Sequence, residues 1–296
     1  MLYELFGIVA PVILLASAGY AWAWAGWPFD LDFITRLSLS FSVPCLMFAT
    51  LVRADISPEA FGEIALASLV AYAAAGVVLW VVFRLLRLSM PVWLAPTVFG
   101  NTGNVGLPVA LFAYGDEGLA LAMVAFAVMA ILSFTIGIYL VAGAGRPAEA
   151  LKQPLVYASI AGGIAAVVDW APPDWAMATI SLAGQVAIPL MLLTLGVSIA
   201  RLRIGDVVTA SGVTVIKALV TGGAGYGAAV AFGLTGPALG ALVLQLIMPA
   251  AVTSYMLAAR YERDPDAVAG LVVISTLAAL VLIPATLAVL LPVTGG

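Results

Sequence analysis

The stretch Phe99-Gly-Asn-Thr-Gly-Asn-Val-Gly-Leu-Pro108 sets two asparagines, three glycines and a proline inside a segment that is otherwise apolar enough to lie in a bilayer. Gln245-Leu-Ile-Met-Pro249 interrupts a second apolar segment at the matching place in the other half of the chain. In hydrocarbon an unsatisfied backbone group costs several kcal/mol, so irregular backbone at membrane depth survives only where protein buries it or where it lines a cavity. Two such breaks at corresponding positions point to the binding site of a carrier.

Composition fixes the class around these breaks. Of 296 residues, 64% are hydrophobic and 9% charged, against about 25% charged in an average soluble domain; the mean hydropathy is +1.18. The single cysteine, Cys45, excludes a disulfide framework and a cysteine metal site. The absence of histidine removes the usual proton relay, paired-histidine zinc sites and a serine-histidine triad. With no Gly-x-Ser-x-Gly elbow, and with Asp116 of Tyr114-Gly-Asp116 lacking an intramembrane partner, no catalytic residue, cofactor, metal or nucleic acid is expected, and the chain reads as a non-enzyme. The apolar run Leu5 to Leu15 has no basic residue before it, so it reads as a permanent span rather than a cleaved signal.

Runs of about 20 apolar residues are needed to cross a bilayer. Ten are expected, at 4–25, 32–52, 61–85, 91–113, 117–142, 154–169, 176–199, 206–231, 236–259 and 267–291. The fold class is thus an all-α polytopic membrane protein of ten transmembrane helices. Near span ends, the odd-numbered loops carry Arg84, Arg87, Arg146, Lys152, Arg201, Arg203, Arg260 and Arg263, the even-numbered loops only Arg53. Odd loops should therefore be cytoplasmic and both termini outside, in what is read as a bacterial inner membrane.

The halves echo each other. Ser42-Val-Pro44 and the following residues resemble Ala187-Ile-Pro189, and Gly106-Leu-Pro108 resembles Ile247-Met-Pro249, at offsets of 145 and 141 residues. A repeat of five spans must enter the membrane upside down on its second pass, giving two inverted repeats with broken helices 4 and 9 crossing near the midplane.

At the first break Asn101 and Asn104 can donate and accept, Gly103 frees the backbone, and Pro108 removes one donor. At the second, Gln245, Thr253 and Ser254 are the polar groups beside Pro249. Half-helix N-termini there would favour a carboxylate, and the alternative is that the asparagines only cap the broken helix. Lys217, central in span 8, pairs with an anionic substrate, neutralises half-helix C-terminal ends, or bonds backbone carbonyls. Glu4, Glu63, Asp116, Glu117 and Asp206 all fall near span ends, which argues against a cation/proton antiporter.

Asn101-Thr, Gly106-Leu-Pro108, Ile247-Met-Pro249, Ala259-Arg-Tyr261 and Pro265-Asp266 resemble the auxin efflux carrier family, over essentially the whole chain. The resemblance implies a fold like that of the bile acid/sodium symporters and sodium/proton antiporters. Residues 1–60 and 154–203 (spans 1, 2, 6 and 7) would form a scaffold, homodimeric through its helices, and 61–142 and 204–291 a mobile transport domain. It implies small organic anions as substrates, indole-3-acetate in plants and malate or malonate in some bacteria, with Asn101 as substrate contact and Pro108 and Pro249 as crossover prolines. The short span 5 to 6 loop and Gly103-Asn104 depart from the plant sequences. The functional expectation is a secondary carrier of a carboxylate, working by alternating access. A sodium- or proton-coupled symporter of the same fold and a non-transporting sensor are the alternatives.

Overall fold

The computed structural model describes residues 2–54, 57–143, 153–168, 170–202 and 205–294. Arg146, Lys152 and Arg203, counted above for topology, and most of the span 5 to 6 connection lie outside the described residues, as does Asp169. The chain is an integral membrane protein built of helices. They are α1 (Leu2–Trp24), α2 (Leu31–Arg53), α3 (Pro58–Leu85), α4 (Met90–Val98), α5 (Thr102–Ala142), α6 (Pro154–Val167), α7 (Asp174–Arg201), α8 (Val207–Ala231), α9 (Gly236–Ile247), α10 (Val252–Arg260) and α11 (Pro265–Thr294). Seven of them are long and apolar enough to cross a membrane, and α6 and α9 are shorter apolar helices.

Local sequence explains the boundaries. Asp30, Ser57 and Asp206 cap α2, α3 and α8 by accepting from Phe33 N, Ala60 N and Thr209 N at 2.9, 3.3 and 3.0 Å. The bonds from Thr209 also hold the Asp206 carboxyl below its ordinary value. Prolines in the first turn start α3, α4, α6 and α9, where a missing N–H leaves no gap in the ladder. Gly143 ends α5 and Gly233 follows α8, both with left-handed φ.

Prolines inside the spans leave marks. Pro44 follows a π-helical turn, Ser38–Ser42, closed by Val43 N on Ser38 O, because a residue without an N–H cannot extend the regular ladder. Pro108 follows the π-helical turn Thr102–Gly106 in the same way. Pro189 sits just past Val186, where Asp174–Gln185 and Ala187–Arg201 join within α7. Spans 4 and 5, expected as separate runs, part at Gly115, whose φ of 65° and ψ of −156° divide α5 into two helical segments.

α1 lies on α7, and α2 on α6 and α7. α3 packs on α8, α5 on α9, α8 on both α9 and α11, and α10 on α11. Backbone approach through glycine makes several of these contacts: a Cβ on Gly196 would meet Ala16 O and Tyr20 N of α1, and one on Gly19 would meet Leu193 O of α7. In the glycine-rich stretch of α8, Gly222 and Gly225 face Ile247 and Leu246 of α9. Glu63, Asp116, Glu117 and Asp206 are exposed on the protein surface.

Three contacts tie the helix ends along one edge. Arg201 Nη2 donates to Phe29 O at 3.0 Å, Arg263 Nε to Val141 O at 3.0 Å, and Gly205 N to Asp266 O at 3.0 Å. Each joins two odd-numbered loops of the sequence reading.

Candidate functional site

The two breaks meet. Between α4 and α5 the chain runs extended through Phe99 and Gly100, and between α9 and α10 through Met248 to Ala251. Gly100 and Ala250 form an antiparallel bridge, and Asn101 N donates to Pro249 O at 2.6 Å. The approach needs glycine, since a Cβ on Gly100 would lie 2.8 Å from Met248 O. Backbone groups that lose their helical partners at the breaks thus find each other across the crossing. Ala250 N is taken up separately by Ser275 Oγ of α11, at 3.0 Å.

Asn101 shapes the first turn of α5. Its Oδ1 accepts from Asn104 N at 3.3 Å and its carbonyl accepts from Val105 N and Gly106 N at 3.2 and 3.3 Å. The capping alternative is therefore realised for the Asn101 oxygen. Its Nδ2 is different: the residue is 5% exposed and the amide nitrogen has no partner. An orphaned buried donor costs about 1–3 kcal/mol, and it marks where a ligand acceptor would be stabilised. Thr102 Oγ1, beside it and fully buried, is also unpartnered.

The remaining expected residues divide. Asn104 and Gly103 are half-buried on the same turn, and a Cβ on Gly103 would touch Met191 and Phe126. Thr253 is exposed and Ser254 half-buried in the first turn of α10, the second half-helix N-terminus. Pro108 and Pro249 are buried flanking the crossing. Gln245 is fully buried on α9; its Nε2 donates to Ala122 O at 3.1 Å and its Oε1 is unpartnered, pressed where a Gly106 side chain would be. It braces α9 against α5.

Lys217 is 2% exposed and its Nζ donates to Thr97 O at 2.8 Å. Thr97 stands in the last turn of α4, so the ammonium meets the C-terminal, negative end of the first half-helix. Of the three readings of Lys217, the geometry joins two: it bonds a backbone carbonyl, and that carbonyl belongs to a half-helix C-terminus.

A cavity of about 220 Å³ opens beside the crossing, between α1 and α7 on one side and α5 and α11 on the other. Val105 and Pro249, both hydrogen-bonded to the Asn101 backbone, form part of its wall. Among its lining residues only Ser17, Tyr20 and Thr276 are polar, and Thr276 bonds back to Val272 O.

Sequence reasoning did not single out Ser275, Thr102 or the carbonyls of Thr97 and Ala122. Ser275 had no distinct signal, since it stands beside Thr276 in an apolar run where such hydroxyls usually bond back to their own helix. The carbonyls had none, because every residue carries one.

A family model described as membrane transport protein matches residues 5–150 and 146–287. An uncharacterised transporter of Methanothermobacter thermautotrophicus is 26% identical over 270 residues, covering 86% of this chain and 87% of that protein. An uncharacterised transporter of Methanocaldococcus jannaschii is 26% identical over 202 residues, covering 63% of this chain and 64% of that one. The chain belongs to the membrane transport protein family, that of the auxin efflux carriers.

Proposed function

We propose that this protein is a secondary carrier of a small organic anion, a carboxylate, working by alternating access. Ten helices cross the membrane in two inverted five-helix repeats, α4 with the start of α5 forming the fourth crossing and α9 with α10 the ninth. The observation that carries the reading is the bridged crossing itself, with a buried Asn101 amide that donates to nothing. An unfilled donor at a half-helix N-terminus favours an acceptor that bears negative charge.

Residues 1–60 and 154–203 act as scaffold and 61–142 and 204–291 as the moving domain. Helix packing supports this: each group is knit internally, and the apolar cavity lies where they face each other. Apolar walls let one group slide or rock past the other without breaking polar contacts. The three arginine and backbone ties along one edge join only odd-numbered loops, in keeping with a cytoplasmic face there and termini outside. Lys217 already occupies the carbonyl at the α4 end, so carriage needs no sodium ion at that place.

The test is Asn101→Ala. Purified wild type is screened by thermal shift against indole-3-acetate, malate and malonate, then assayed for counterflow of the stabilising anion in proteoliposomes. Stabilisation and exchange by wild type, both lost in the variant with the fold intact, are expected. Binding without exchange would make the protein a sensor instead.

A further inference from the structure

α3 carries a stripe that the crossing does not use. Leu69, Ala73, Gly76, Trp80 and Arg84 recur at spacings of three and four residues, so they lie along one side of the helix. The first four line a furrow of about 400 Å³. α4 forms its floor through Leu94 and Phe99, and the last turns of α5 form the far wall through Ile136 and Leu140. α5 makes a π-helical turn there, Ser133–Gly137, and Phe99 packs on Gly137, where a Cβ would lie 3.1 Å from its ring.

The furrow opens outward from the bundle. Its lining residues Leu69, Val77, Trp80 and Ile136 are exposed, and an exposed apolar rim on membrane-spanning helices faces acyl chains. Only Tyr72 and Trp80 bring a polar side-chain atom to the lining, too few partners to hold water along its length. From Leu69 to Trp80 the helix rises about 16 Å, close to half of a hydrocarbon core of about 30 Å, which is one leaflet. Positive charge stands at the Trp80 end. Arg84 Cζ lies 5.5 Å from the centre of the Trp80 ring, and Arg87 is exposed in the turn that follows α3. Tryptophan sits at headgroup level in a bilayer, and arginine beside it meets phosphate.

We infer that this furrow is a binding site for one phospholipid, with an acyl chain laid along α3 and the phosphate on Arg84. An unfilled furrow would forfeit the dispersion contacts of its walls, and a chain from the adjoining leaflet restores them. Two arginines at the headgroup end favour a net negative headgroup over a zwitterionic one. The deep end of the chain rests on Phe99, next to the Gly100 bridge, so the lipid covers the outer flank of the break. This site is distinct from the cavity bordered by α1 and α7, with which it shares no lining residue.

Native mass spectrometry of the full chain, purified in detergent and titrated with palmitoyl-oleoyl phosphatidylglycerol or phosphatidylcholine, reads the Kd of the first retained lipid. The variants are Gly76→Leu and Arg84→Gln. A Cβ on Gly76 would meet only Val98 Cγ2, at 4.0 Å, so leucine enters the furrow without displacing backbone. Wild type should retain one phosphatidylglycerol per chain, and Gly76→Leu should weaken it at least about tenfold. Arg84→Gln should cut the preference for phosphatidylglycerol over phosphatidylcholine about fivefold. Wild type that retains no lipid overturns the inference, as does unchanged affinity in Gly76→Leu or unchanged headgroup preference in Arg84→Gln. A dimer of chains that Gly76→Leu dissociates would make a second copy the occupant and overturns it as well. If Gly76→Leu does not fold, Arg84→Gln decides, because it alters an exposed side chain. The carrier reading stands under each of these results.

Discussion

Lys217 Nζ lies 2.8 Å from the carbonyl oxygen of Thr97, in the last turn before α4 breaks off. A central lysine in a membrane helix costs at least about 2.5 kcal/mol to insert, and here it satisfies a carbonyl at the negative end of a half-helix. Lys217→Met should leave that carbonyl buried without its donor and lower stability by about 1–3 kcal/mol. Lys217→Ala makes room for a small cation at the same oxygen, so sodium should raise the melting temperature of this variant and leave wild type unmoved. A sodium-dependent rise in wild type would show that the lysine does not stand in for an ion.

Gly106 and Gln245 test the brace behind the crossing. A methyl group on Gly106 would overlap Gln245 Oε1, which is itself unpartnered and fully buried. Gly106→Ala alone should destabilise by about 1–3 kcal/mol, the usual range for overpacking. Gln245→Ala alone opens a cavity. Combined, the added methyl enters the space that the amide leaves, so the double variant should be more stable than the sum of the singles predicts, as a double-mutant cycle in thermal denaturation would record. Strict additivity would mean that the two residues do not share this space.

Ser275 was invisible in the sequence for the same reason that Asn101 stood out. Asparagine flanked by glycines in an apolar run signals broken backbone, whereas a lone serine in a membrane helix usually bonds back to its own helix. Ser275 does so only weakly, at 3.3 Å to Val272 O, and accepts from Ala250 N at 3.0 Å. The breaks, the prolines and the buried lysine were legible because each violates a local rule of membrane helices. What each one bonds to was not, because Thr97, Ala122 and Pro249 take part through carbonyls that any residue carries. The break at Gly115 was legible too, falling between the expected spans 91–113 and 117–142.

Ser275→Ala should orphan the Ala250 N–H inside the crossing. The penalty is about 1–3 kcal/mol for a buried donor without a partner, expressed as a lower melting temperature. Ser275→Cys keeps a weak acceptor and should fall between. Equal stability of the alanine variant and wild type would mean that the hydroxyl is not what satisfies Ala250 N.

Whether α4 and the start of α5 together traverse the membrane decides the parity of every later crossing. Ser89 precedes α4, is exposed and makes no side-chain capping bond, while Asp116 is exposed just past the Gly115 kink. The 9 residues of α4 are too few to span a bilayer alone, since about 20 are needed. The crossing therefore reaches the far side only if the chain continues through the bridge at Gly100 into α5. In a Cys45→Ala background, Ser89→Cys should react with a membrane-impermeant maleimide only after cells are opened, and Asp116→Cys in intact cells. The positive-inside bias assigns Arg84 and Arg87, beside Ser89, to the cytoplasm. Labelling of both cysteines from one side would make this segment re-entrant, and with it the inverted repeat would fail, because a five-helix unit that crosses an even number of times returns upright.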